Sequence, residues 1–194
     1  MNTGFYAMVS RMKYISRWAL MRNTEQESIS EHSLETAVIA HALALLRNKR
    51  LGGNVDADRV ALLAVFHDVP EILTGDLPTP VKYYNPEIRD AYKKVEAEAQ
   101  ERLLSMLPSD LRDEYRPLIC QEESGEEYML VKAADKISAL IKCIEEEKAG
   151  NTEFIVAKEA ALKSIRKMNM PEADMFIEEF LPAFSLTIDE QGDS

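Results

Sequence analysis

His67 and Asp68 follow seven consecutive apolar residues, Val60 to Phe66, so an imidazole and a carboxylate emerge together from the interior rather than from a solvated face. Buried ionisable groups need partners. The dipeptide alone is a weak motif, and its apolar context is what strengthens it. The bland alternative is a helix C-terminus, with His67 on the helix dipole and Asp68 capping the loop. His32 shares a helix side with Ile39, Leu43 and Leu46, at about 100° per residue, and is expected to point inward. His41 falls about half a turn round from it, beside Asn48, which makes it a poor co-ligand. Two imidazoles and one carboxylate suit a single divalent ion of the Co, Mn, Ni, Fe or Zn type better than calcium.

Other carboxylates lie nearby in sequence. Glu71 follows His67 by four residues, but Pro70 has no N–H to give the Phe66 carbonyl, so the helix is expected to kink or end at Val69 and the aim of Glu71 stays open. Helix-end and turn capping is the alternative role for Glu71 and Asp76. Asp135 lies off the Leu130, Ala134, Ile137 and Ile141 stripe and near Lys132 and Lys142. Periodicity therefore reads it as a solvated carboxylate, salt-bridged along its helix.

The elements that must position these groups read as helices throughout, with no convincing period-2 strand, so the fold class is all-α. Ser30 is a plausible N-cap for a helix running to about Asn48, stopped by Leu51-Gly52-Gly53-Asn54. Asp56 caps the central helix that carries the apolar run. Asn85 and Pro86 open a long amphipathic helix through Ile88, Tyr92, Val95, Ala99 and Leu103. Further helices are expected over 126–149, ended by Gly150, then over 152–168 and over 172–181. No repeat or low-complexity linker divides the chain, so 1–194 reads as a single domain with about 185–194 a loose tail.

The 194 residues can bury one sizeable core. A formal charge of −11, from 23 basic and 34 acidic side chains, repels polyanions and argues against a nucleic-acid polymer or an anionic membrane as partner. The longest apolar run falls far short of the about 20 residues a spanning helix needs, and the N-terminus MNTGFYAMVSRMKY lacks a secretory pattern. Cys120 and Cys143 form no disulfide framework. A cytoplasmic protein is expected.

The His in SEHS, the HD dipeptide on a buried helix and the Asp in VKAADK together resemble the H…HD…D pattern of the HD-domain phosphohydrolase superfamily. More narrowly, RWALMRN, SEHS, HDVPEILTGDLPTPVKY and VKAAD are similar to the bacterial 5′-deoxynucleotidases of the YfbR type, over most of the chain. The resemblance implies an all-α HD fold with a metal site between helices, and one divalent cation held by His32, His67, Asp68 and Asp135. It implies hydrolysis of deoxyribonucleoside 5′-monophosphates to deoxynucleoside and phosphate, and a homodimer. It reverses the periodicity reading of Asp135.

The same resemblance implicates Glu71 and Asp76 in orienting the attacking water or moving protons. In a negatively charged chain Arg17 can offer a planar fork to two phosphate oxygens, with Lys82 a second candidate. Trp18, by type a core residue, becomes a wall against the sugar. Asp76, Leu77, Pro78 and Thr79 resemble a substrate-contacting loop, stiffened by Pro78 and Pro80, and His32 and Asp68 are implied to touch substrate as well. Two readings stay open beside this one: hydrolysis of another nucleotide, a triphosphate or an alarmone, and a non-catalytic helical module that binds metal or nucleotide.

Overall fold

The computed structural model describes residues 3–82 and 84–192, with the side chains of residues 79 and 80 outside that description. Among the described residues the regular structure is helical, apart from an isolated antiparallel bridge between Ser16 and Ser28. In chain order it comprises α1 (Phe5–Val9) with a 3₁₀ turn at Ser10–Tyr14, α2 (Ile29–Arg50), α3 (Ala57–Phe66), α4 (Glu71–Thr74) and α5 (Thr79–Lys82). There follow α6 (Pro86–Ser105), α7 (Ser109–Ile119), α8 (Glu126–Lys148), α9 (Ile155–Arg166), α10 (Pro171–Glu179) and α11 (Ile188–Gly192). None is long and apolar enough to cross a membrane.

Local chemistry sets the helix ends. The cap of α2 is Ser28, two residues before the expected Ser30. The Ser28 hydroxyl accepts the Glu31 N–H at 3.3 Å while the Glu31 carboxylate accepts the Ser28 N–H at 2.8 Å. That reciprocal pair needs a glutamate three residues on, which Ser28 has and Ser30 lacks; the Ser30 hydroxyl pairs with that of Ser28 instead. Asp56 and Asn85 cap α3 and α6 as their sequences suggest, accepting from Arg59 N–H at 3.0 Å and Ile88 N–H at 2.8 Å. The sequence reading passed over α7, whose Leu111, Tyr115 and Leu118 nonetheless recur at helical spacing.

The packing has two parts. α2, α3 and α8 meet around Leu43, Val60, Leu130, Ile137 and Ile141. A second cluster gathers Phe5, Ile29, Val69, Leu103 and Leu104. Phe66 and Tyr115 border both, so the two residues after Phe66, His67 and Asp68, leave α3 where the clusters join.

One buried carboxylate fastens the loop before α2. Glu146 accepts the Thr24 N–H at 2.9 Å, the Thr24 hydroxyl at 2.7 Å, the Asn151 amide at 2.8 Å and the Lys142 ammonium at 2.6 Å. Burial alone would raise its pKa, and these donors overcome burial and hold it well below the carboxylate range. A depressed folded pKa gives stability that is present above the unfolded-state value of about 4.3 and fades as pH falls toward the folded value. Glu146→Gln is therefore expected to cost about 2–4 kcal/mol near neutrality, because Lys142 loses its buried partner. In denaturant titrations the gap from the parent chain should narrow below pH about 4; a gap independent of pH would show that charge is not what matters there.

Candidate metal centre and active site

His32, in the first turn of α2, is fully buried. Its Nε2 lies 3.2 Å from Oδ1 of Asp135, in the middle of α8, and 3.5 Å from Oδ2 of Asp68. His67 ends α3 with its Nδ1 2.6 Å from the Ala64 carbonyl. A carbonyl only accepts, so Nδ1 carries a hydrogen and Nε2 is the nitrogen that can offer a lone pair to a cation. That Nε2 is buried without a hydrogen bond, 3.1 Å from Asp68 Oδ2. One atom each of His32, His67 and Asp135 lie within 4.8 Å of one another; Asp68 stands outside that trio, with its Oδ2 beside the Nε2 of both imidazoles. Two imidazole nitrogens and two carboxylates are a donor set for a transition-metal dication or zinc, and the orphaned His67 nitrogen fits such a cation.

The charges agree with that grouping. Burial would raise both aspartates, yet His67 and His32 hold Asp68 far below its usual range, and His32 does the same for Asp135. His32 is pushed down by burial and by Arg17 but pulled up further by Asp135 and Glu27, to about 9.

Asp135 is not on a solvated face beside the lysines. Lys142 reaches the Glu25 carbonyl and Glu146, while Lys132 lies over the Tyr128 ring. The helical wheel assumes one covered face, whereas α8 packs against α2, α3 and α9, so the side carrying Asp135 is partly covered too, its side chain 29% exposed. His41 is 40% exposed and sits 3.5 Å from Asp58, away from the cluster.

Behind Asp68 stands Arg17, its Nη1 3.6 Å from Asp68 Oδ2 and its Nε 3.4 Å from Glu27 Oε2. That Nε is buried with no hydrogen bond. Glu27, which the sequence reading did not single out, also accepts the Trp18 indole N–H at 2.8 Å and lies 3.6 Å from His32 Nδ1. It thus joins three of the expected site residues. One of two acids in the polar stretch TEQES carries no signal of this; only the return of the chain at Ser16 and Ser28 buries it. Trp18 packs on Phe154 with ring centroids 5.3 Å apart. Its φ of +58° is the left-handed region, costly for a bulky residue.

Pro70 does interrupt the helix. α3 stops at Phe66, the chain turns, and α4 starts at Glu71, whose N–H donates to the Asp68 carbonyl at 3.0 Å. Although off the helix that bears His67, Glu71 is not aimed away. It lines, with His67 and Asp68, a cavity of about 420 Å³ walled further by Lys82, Tyr92 and Gln121. Burial, Asp68 and Asp76 push its pKa up to about 9. Asp76 is raised by burial and by Asp68, against the pull of Arg17 and the Trp18 N–H. Leu77 and Pro78 are half-buried in the same loop. Thr79 begins α5, but its side chain and that of Pro80 lie outside the described residues. Lys82 pairs with Glu96 at 2.8 Å and lies over the Tyr92 ring.

Comparison with known proteins places the chain in a family. Residues 4–184 match the family described as 5′-deoxynucleotidase YfbR-like. A 5′-deoxynucleotidase of Vibrio vulnificus is 53% identical over 96% of this chain and 96% of its own length. An HD-domain phosphohydrolase structure from Listeria innocua superposes with a TM-score of 0.81 at 25% identity, covering 97% of this chain and 91% of that one. A cyanophage S-2L HD phosphohydrolase, solved with dA and one catalytic zinc ion, shares the fold at a TM-score of 0.65 and 17% identity, over 91% and 95% of the two chains. With a buried His-Asp cluster on an all-helical frame and a family match over nearly its whole length, the chain belongs to the YfbR-like 5′-deoxynucleotidase family of HD-domain phosphohydrolases.

Proposed function

We propose that this chain is a metal-dependent 5′-deoxynucleotidase that cleaves deoxyribonucleoside 5′-monophosphates to deoxynucleoside and phosphate. The observation that carries the reading is the convergence of His32, His67, Asp68 and Asp135, with Arg17 behind Asp68, in a chain 53% identical to a named 5′-deoxynucleotidase. These four residues would hold one divalent ion. Such an ion supplies Lewis-acid polarisation of a phosphoryl oxygen and makes water a better nucleophile.

The remaining work falls to the chain's own side chains. Arg17 binds the phosphate through its planar fork, held in place by Glu27. Glu71, which keeps a proton readily in its buried setting, is the group to hold or deliver one at the 5′ oxygen. Asp76, whose charge helps raise Glu71, is the second carboxylate, and Leu77, Pro78 and Thr79 form the loop beside the substrate. Trp18, fixed by Glu27 and Phe154, walls the sugar. A 2′-hydroxyl set against that indole loses water without gaining a partner, a penalty of about 1–3 kcal/mol against ribonucleotides.

Arg17→Lys keeps the charge and loses the bidentate fork. It is expected to lower kcat/KM by about 10–100-fold, the worth of one to two charge-assisted hydrogen bonds. Full activity in the lysine variant would reduce Arg17 to a remote charge.

Residues 1–194 form one HD domain of a cytoplasmic homodimer. Both cysteines are free thiols, in keeping with a reducing compartment. Leu34, Val38 and Leu45 of α2 and Leu62 and Val65 of α3 are exposed on neighbouring helices, an apolar stripe that a second copy would cover isologously. The test of the whole is a panel of ribo- and deoxyribonucleoside 5′-, 3′- and triphosphates assayed for phosphate release with several divalent metals and with a chelator. Release should be confined to 5′-monophosphates, favour the deoxy series and stop with the chelator. Preference for triphosphates, or no release at all, would reject the assignment.

A further inference from the structure

An imidazole ligand has two nitrogens, of which a metal site uses one. For His67 the Ala64 carbonyl settles which nitrogen carries hydrogen; His32 has no such carbonyl. We propose that Ser138 and Glu35 form a hydrogen-bond relay that settles it for His32, and that both are positioning residues for the metal-binding nitrogen. The proposal rests on the metal-centre reading above.

His32 Nδ1 lies 3.0 Å from Ser138 Oγ, and Ser138 Oγ donates to Glu35 Oε2. A serine hydroxyl has one hydrogen and a carboxylate only accepts. With that hydrogen given to Glu35, the serine oxygen offers His32 nothing but lone pairs. In the neutral ring that a cation requires, Nδ1 must then keep the N–H, and Nε2, the nitrogen facing Asp135 and Asp68, is the one that gives up its proton to bind. The other neighbours of the ring are weaker claimants. Thr36 Oγ1 is 3.5 Å from both nitrogens, so it selects neither, and Glu27 Oε1 is 3.6 Å away.

The relay repeats the layout of the site itself. Glu35 is three residues after His32 on α2, and Ser138 three residues after Asp135 on α8, one helical turn in each case. The contact between α2 and α8 that brings ligand to ligand therefore brings orienting group to orienting group. Ser138 is fully buried, with a partner on each side.

Glu35→Gln tests the direction of the relay. Its amide can donate to Ser138 Oγ, which frees the hydroxyl hydrogen to turn toward Nδ1 and favours the tautomer that blocks Nε2. Ser138→Ala removes the relay altogether. Apparent affinity for Co²⁺ is measured by calorimetry on the full chain, with circular dichroism confirming the fold. Each substitution is expected to weaken binding by about 10–100-fold, the usual worth of an outer partner of a metal-bound histidine. The double variant should match the weaker single to within about twofold, since the two residues act as one unit. Glu35→Gln binding as tightly as the parent, or losses that multiply in the double variant, would overturn the relay while leaving the metal centre standing. A parent chain that binds no Co²⁺ would take both down, and so tells the two failures apart.

Discussion

Asp135→Asn is expected to remove turnover and cation retention together. The substitution keeps the size of the side chain and removes one of two carboxylate charges facing His32 Nε2, and carboxylate charge is part of what holds a divalent ion against water. Loss of the several kcal/mol of transition-state stabilisation such an ion supplies corresponds to a fall of about 10³-fold or more in kcat/KM. The effect should be steepest at limiting metal. Some stability goes with the change, since fully buried His32 loses a charged partner, so circular dichroism checks that the variant is folded. Metal content of the purified variant and its phosphate release decide the matter: stoichiometric metal with parental turnover would remove Asp135 from the ligand set. His41→Gln is the matched control. Its ring sits by Asp58 on the far side of α2, so activity should stay near that of the parent.

Glu71→Gln is expected to separate chemistry from metal binding. The amide preserves shape and much of the hydrogen bonding but cannot give or take a proton at the reacting atoms. A positioned acid or base contributes about 10²–10⁴-fold, and kcat should fall by that order. Metal content should not move, since Glu71 stands off the cluster of His32, His67 and Asp135. The limb of the pH–rate profile set by Glu71 should also disappear. If the residue serves only to open α4, the variant will lose a little stability, and kcat at saturating substrate will hold.

Much of this site could be read from residue types in local order. The apolar run before His67 pointed to a covered imidazole and carboxylate, and both are partly covered although Leu62 and Val65 of the run itself face outward; the phase of His32 relative to Leu43 turned it inward, as the structure has it. Asp135 resisted the same reasoning because a wheel reports one buried face and α8 has several neighbours. Glu27 was illegible for a different reason. Its burial comes from the chain folding back on itself between Ser16 and Ser28, and nothing in a short polar segment encodes that closure. The cap of α2 is an intermediate case: two serines compete, and the glutamate that answers Ser28 was present in the sequence. Glu71 shows that a proline can break a helix without expelling the next residue, since the turn after Phe66 returns it to the same cavity.

Residues 15–28 form a loop closed at its neck and clipped at its tip. At the neck the Ile29 N–H meets the Ile15 carbonyl and the Arg17 N–H meets the Glu27 carbonyl, each at 2.9 Å. At the tip Glu146 and Asn151 hold Thr24 and the Arg22 carbonyl. Such a segment opens as one cooperative unit, with a free energy below that of global unfolding. Its amides should therefore exchange with solvent hydrogen as a single class. Since Arg17, Trp18 and Glu27 travel together on it, warming should silence the protein in one step while the helices around Leu43 and Ile137 are still intact.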